Sequence, residues 1–243
     1  MPSWCVTTME YDVDLKVLFA RRLSRADIKH ALEKKGESIY VTIKGDDAVG
    51  AMADACIKVL CRDLQYFVLA KMADRLPMTI NDKQQVLTES LRLARSRESL
   101  DGLIVDMKDY LRDTRDLCIE GYMQFRLQPS LLMWELCVEQ AATEVLMQKE
   151  YAELREVLEL CSRQRGSQVG ELQLCIHSDG SCTLTDDTLV RIEYVDCSIE
   201  GIVSLLVNMA PKQLVVYDLT GGQGAGLTEA IQKVFCGRVK IYK

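Results

Sequence analysis

In the polar stretch "RQRGSQVG", residues 163–170, the spacing of apolar residues changes from near four to two. The period of four belongs to helices and the period of two to strands, so the two sides of this break must fold differently. The chain is therefore expected to be an α+β protein, with helices before the break and a mixed unit after it.

Upstream, from residue 46 to the residue before Pro77, the polar positions Asp54, Lys58, Arg62 and Gln65 recur at spacings of three and four. That narrow stripe predicts a long helix, opened by Asp46 and largely buried. "INDKQQVLTESLRLAR" and "SLDGLIVDMKDYLRDTRD" predict two more, the first capped by Asn81, the second with Ile104, Met107 and Leu111 on one face. Pro129 suits the first turn of another, where its missing donor does no harm. Residues 151–163 continue as helix, with Leu154, Val157, Leu158 and Cys161 inward.

Before these helices, residues 1–45 read as strand, helix, strand. Ser24 followed by Asp27 resembles a capping box, so a helix is expected from there to Gly36, with Lys34 and Lys35 at its negative end. "SIYVTIK" then alternates, with Ile39, Val41 and Ile43 facing one way. Downstream of the break, "ELQLCIHSDGSCTLTDD" alternates on both sides of Asp179-Gly180, which predicts a hairpin with a two-residue turn. A strand, a helix from about Ile199, the strand "QLVVYD", a further helix and the last strand "RVKIY" follow. Three segments result, 1–45, 46–165 and 166–243. They are compatible with one folded domain, the two sets of strands being free to join in one sheet.

A formal charge of -6 argues against nucleic acid as a partner, because such binding depends on clustered Lys and Arg releasing counterions. Arg92, Arg95 and Arg97 form one basic patch, read as a solvated helix face. Ten cysteines without a signal-peptide pattern point to reduced thiols and a cytoplasmic setting. No uncharged stretch reaches the roughly 18 residues of a membrane helix, so no membrane association is expected.

"VVYDLTGGQGAGLTEAIQKVF" comes nearest to chemistry, since it places Gly221, Gly222, Gly224 and Gly226 between a strand and a helix N-terminus. Unpaired N–H groups and the positive end of a helix suit phosphate. Yet Gly226 is followed by Leu227 where a Walker loop needs Lys, and the chain shows no acid about 20 residues on for a ribose. Asp218 would also repel phosphate, so the loop reads as a mobile crossover. In the hairpin, Cys175 and His177 share a face and a two-residue turn would set Cys182 across from His177, with Cys197 or His30 as a fourth ligand. These are weak zinc candidates, because no CxxC pair accompanies them. No metal or cofactor is expected. Glu150, Glu153, Glu156 and Glu159 repeat every third residue and read as a solvated face, and His30 as a surface histidine.

"IEGYMQFRLQ", residues 119–128, followed by "VEQAATEVLMQKEYAELREVLELC", resembles the YtxC-like family associated with bacterial endospore formation. Glu120, Gly121, Phe125, Arg126 and Leu127 match that family's E-G-F-x-x-F-R-L element, with Tyr122 in place of Phe, and Lys149, Glu150 and Tyr151 match its K-E-Y segment. "SDGSCTLTD", "APKQLVVYD" and "IQKVFCGRVKIY" are similar to its C-terminal hairpin, strand and final helix-strand pair. The resemblance implies a cytoplasmic protein of a spore-forming bacterium and carries no established activity. Of the matched residues, Phe125 and Leu127 are expected as core anchors, Glu120 and Arg126 as a charged pair that is either structural or ligand-facing, and Tyr151 as a packing residue.

The leading expectation is a non-catalytic interaction or regulatory protein acting in sporulation through an unidentified protein partner. The alternative is a small-ligand or nucleotide-binding protein, an enzyme included, using the 221–226 loop or a cleft near Arg126. The oligomeric state is left open.

Overall fold

The computed structural model describes residues 2–165, 170–186, 191–194 and 198–243; Cys197 and the side chain of Cys161 lie outside that set. The chain forms two compact units, Met1–Val145 and Leu146–Lys243, each with its own core. The architecture is α+β. Among the described residues the strands fall into two sheets, so the C-terminal strands do not join the N-terminal ones.

The first unit begins with β1 (Ser3–Thr7), α1 (Leu15–Arg25), β2 (His30–Lys35) and β3 (Ser38–Ile43). The helix expected from Ser24 to Gly36 is absent, and the Ser24–Asp27 pair instead ends α1. The Ile28 N–H donates to the Leu23 carbonyl at 3.0 Å and that of Asp27 to Ser24 at 3.1 Å, with Asp27 at φ 54. Those are the bonds of a Schellman stop, in which one left-handed residue closes the helix. Residues 30–35 then turn back through Gly36 and Glu37 into β3, with Gly36 at φ 61 supplying the positive φ of a two-residue hairpin turn.

After Asp47, whose carboxylate accepts the Gly50 N–H at 3.1 Å, comes one long helical run. It comprises α2 (Ala48–Lys58), a π-helical segment Val59–Leu64 and α3 (Gln65–Asp74). The cap is thus Asp47 and not Asp46. Thr79 rather than Asn81 caps α4 (Ile80–Arg97), its hydroxyl accepting from the Asp82 N–H. α5 (Asp101–Asp113), β4 (Asp116–Cys118), α6 (Ile119–Arg126) and α7 (Gln128–Arg165) follow. The sheet has the order β2-β3-β1-β4, with β1 and β4 parallel. Trp4, Val6, Ile39, Val41 and Ile43 contribute its buried face to a core that includes Phe19, Met52, Leu64 and Trp134.

In the second unit, α7 continues, with Leu158 buried and Val157 exposed, contrary to the inward place expected for Val157. β5 (Glu171–Ile176), β6 (Cys182–Asp186), β7 (Arg191–Tyr194), α8 (Ile199–Met209), β8 (Gln213–Asp218), α9 (Ala225–Val234) and β9 (Val239–Tyr242) build a sheet in the order β7-β6-β5-β8-β9. β5, β8 and β9 run parallel, which requires crossovers such as α9. Leu172, Leu174, Leu214 and Val216 of the sheet share a core with Leu206, Ile231 and Phe235.

Candidate functional site

The glycine loop follows β8 and leads into α9 as expected, but it is closed from within. Asp218 Oδ1 accepts the Thr220 N–H at 3.0 Å and its hydroxyl at 2.5 Å, and Thr220 Oγ1 in turn accepts the Gly224 N–H at 2.6 Å. A donor that could have met an anion is already used. The hydroxyl and the N–H of Thr220 hold the Asp218 carboxyl below its ordinary range, so the loop is built on a negative charge. A crevice of about 290 Å³ lies beside it, bordered by His177, Ser178, Thr220 and Gln223, and no Lys or Arg is among the described residues that line it. Of the positions Gly221, Gly222, Gly224 and Gly226, Gly224 thus has its amide already bonded, and no described cation stands beside them in the crevice.

The hairpin carries three loop residues, Ser178-Asp179-Gly180, and not two. The His177 N–H donates to the Ser181 carbonyl at 2.9 Å and the Gly180 N–H to the His177 carbonyl at 3.0 Å, with Gly180 at φ 82. One extra residue shifts the pairing by one and turns a side chain to the other face. Cys182 therefore pairs with Ile176 and is buried, while Cys175 shares its face with Thr183. His177 bonds Thr183 through Nε2 at 2.8 Å. The three weak metal candidates do not converge. His30 stands on β2, half-buried, with Nδ1 2.7 Å from the Ile28 carbonyl oxygen.

The family-matching element forms α6, whose inner face is Ile119, Tyr122 and Met123, continued by Leu127. Those positions are spaced as a helix requires, and Phe125 falls off that face. Phe125 is accordingly 75% exposed and is no core anchor, while Leu127 is buried as expected. Arg126 is exposed in the last turn, where a cation favours the helix's negative end. Tyr151 packs against the second core, with the Lys233 ammonium 5.2 Å from its ring centre. Glu150, Glu153, Glu156 and Glu159 are all exposed.

Glu120 makes the longest-range polar connection of this element. Its Oε1 accepts the Thr8 hydroxyl at 2.5 Å, the Met9 N–H at 2.8 Å and the Glu10 N–H at 3.0 Å, across more than one hundred residues of sequence. Burial alone would raise its pKa, but these bonds outweigh it and hold the carboxyl below its ordinary value. The same loop is fixed by a contact from the Tyr11 hydroxyl to Met123 Sδ at 3.8 Å. So clasped, it presents Met9, 82% exposed, and sets Tyr11 6.3 Å from the ring of Phe67, which meets Tyr66 edge-on at 5.6 Å. Tyr66 and Phe67 are each nearly half exposed. An aromatic surface therefore stands over a loop that the motif carboxylate holds in place.

A second arrangement was illegible in the sequence. Arg62 and Gln65, read as a solvated stripe, lie at or beside the π segment and face inward. Arg62 donates to Glu98 Oε2 at 3.1 Å, and the Glu98 side chain is only 3% exposed, with Oε1 lacking a partner among the described residues. Gln65 is fully buried and, with its amide set to satisfy both neighbours, accepts the Trp134 indole N–H at 3.0 Å and donates to the Cys61 carbonyl at 3.1 Å. Burial raises the Glu98 carboxyl above its ordinary range and pushes the Cys61 thiol up too, so Cys61 is no nucleophile. Asp63 is held by Arg22 in a two-point bond of 2.7 and 2.8 Å. The only sequence signal was an Arg, an Asp and a Gln inside the apolar run "VLCRDLQYFVLA".

The YtxC-like family model matches residues 67–240, a span that takes in α6, Tyr151 and the glycine loop. No curated protein and no solved structure matches the chain.

Proposed function

The chain belongs to the YtxC-like family, and from that premise we propose that it acts in bacterial sporulation as a non-catalytic interaction or regulatory protein. One observation carries the reading. The family-motif carboxylate Glu120 bonds the loop at residues 8–10, and that loop, with Tyr66 and Phe67, forms an exposed aromatic surface. Large aromatic side chains left exposed beside one another are typical anchors of protein recognition, because they bury much area at little entropic cost. The carboxylate that the motif supplies is spent on positioning and not on a substrate.

The reading sets the protein in the cytoplasm. In keeping with it, the eight cysteines among the described residues are free thiols, and no described helix is long and apolar enough to cross a membrane. The test is complementation in a spore-forming host lacking its own copy of the gene. A Tyr66→Ser, Phe67→Ser double variant should melt within a few degrees of the wild type and yet restore few heat-resistant spores. Full restoration by that variant would remove the aromatic surface from the function.

A further inference from the structure

The outer edge of β9 has the geometry of a self-pairing strand, and we infer that two copies of the chain join there, edge to edge, into one continuous sheet. The inference goes beyond the sporulation reading and does not depend on it. β9 ends the order β7-β6-β5-β8-β9, and among the described residues only β8 pairs with it. The Leu214 N–H donates to the Arg238 carbonyl at 2.8 Å, which fixes the phase of the parallel ladder. Arg238 and Lys240 therefore spend their backbone groups on β8. Val239 and Ile241 turn theirs outward, a row of unpaired donors and acceptors that only another extended backbone satisfies fully.

Natural edges are usually guarded by charges, proline or a bulge. On β2 the exposed Glu33, Lys34 and Lys35 do this. β9 carries a single exposed charge, Lys240, between half-buried Val239 and Ile241, which lie on the core side of its edge beside a groove of about 630 Å³ that Glu229, Gln232 and Lys243 also line. Side-chain parity limits how a second copy can add antiparallel, since opposed residues must share a face. Pairing centred on Lys240 would set Lys240 directly against Lys240 of the second copy, like charge on like. Pairing centred on Ile241 sets Ile241 against Ile241 and Lys240 against Tyr242 of the second copy, twice. An ammonium beside an aromatic ring is favourable, and Tyr242 is already stacked on Tyr217 at 5.4 Å. That register also sets Lys243 of the second copy opposite Val239, at a groove whose Glu229 is already paired with Lys233 at 3.0 Å. The two Lys240–Tyr242 pairs are what fit a second copy.

The test is sedimentation of the full chain over a concentration series. The mass should rise from 27.5 kDa toward twice that value. Ile241→Pro removes an outward N–H and leaves the β8 ladder intact, so this variant should stay at the monomer mass at every concentration with an unchanged circular dichroism spectrum. Ile241→Cys supplies a second readout, because the two Cα atoms of a hydrogen-bonded antiparallel pair lie about 5.5 Å apart, within disulfide reach. Mild oxidation should then give a dimer whose linking peptide is joined at position 241, whereas Ile241→Ser gives none. A chain that stays monomeric without that crosslink, or a dimer that Ile241→Pro leaves intact, would overturn the inference.

Discussion

Two loops of this molecule are each tied down by one carboxylate, and they differ in where the carboxylate comes from. The glycine loop is held by Asp218, two residues before the Thr220 that it binds. The loop after β1 is held by Glu120, more than one hundred residues away. A local clasp is a turn: it satisfies the backbone early and occupies the Gly224 amide just before α9. A remote clasp depends on the whole first unit being folded, and it fixes the outward side chains of one segment against those of another. The difference separates a structural corner from a surface fit for recognition.

The largest effect expected from breaking this contrast is at Glu120. Glu120→Ala removes three hydrogen bonds to a charged group, partly replaceable by water, and should cost about 2 kcal/mol in denaturant unfolding and lower the yield of heat-resistant spores. Next comes Gly224→Ala, because a Cβ there would stand 3.0 Å from Asp218 Oδ1 and 3.1 Å from Thr220 Oγ1. Strain of about 1 to 2 kcal/mol should appear in its unfolding curve, with spore yield unchanged. Gly221→Ala meets nothing within 4 Å but must hold φ 64, so a loss of about 1 kcal/mol is expected there from backbone conformation alone. Inorganic phosphate should shift the melting temperature of neither the wild type nor these variants. A clear upward shift in the wild type would reopen the glycine loop as an anion site.

The smallest effects are changes of slope with pH, and two glutamates predict opposite signs. Glu98 has a raised pKa, chiefly from burial, so the native state holds its proton more tightly than the unfolded chain. Its contribution is present below about pH 4.5, the ordinary value, and is lost as pH rises through the raised one. Glu120 has a lowered pKa, so its contribution is present above that ordinary value and is lost as pH falls. Melting temperatures against pH should therefore flatten on the acid side in Glu120→Gln and above pH 4.5 in Glu98→Gln. The same flattening in both variants would show that one of the two environments is misassigned.

How much of this was legible followed the range of the interaction. β3, α5 and α9 were readable because their periods are local and their buried residues are mostly apolar. Ser24 and Asp27 misled because short polar side chains serve both ends of a helix, and only the left-handed φ of Asp27 decides between them. Asp179-Gly180 misled because one residue more in the turn reverses the face of Cys182. Arg62 and Gln65 looked solvated because charge and amide suggest water, whereas Glu98, Trp134 and the Cys61 carbonyl await them inside. Nothing near Glu120 in sequence announces Thr8, Met9 and Glu10. The E-G-F-x-x-F-R-L likeness marked the carboxylate without revealing what it holds.

Amide hydrogen exchange in the wild type and in Glu120→Gln, followed at residues 8–13 and 219–226 together, tests the remote clasp most directly. The account predicts that the Met9 and Glu10 amides are protected in the wild type and lose that protection in the variant, while the glycine loop exchanges identically in both. Unprotected Met9 and Glu10 amides in the wild type, or equal protection in the two proteins, would contradict the clasp and with it the surface proposed to act in sporulation.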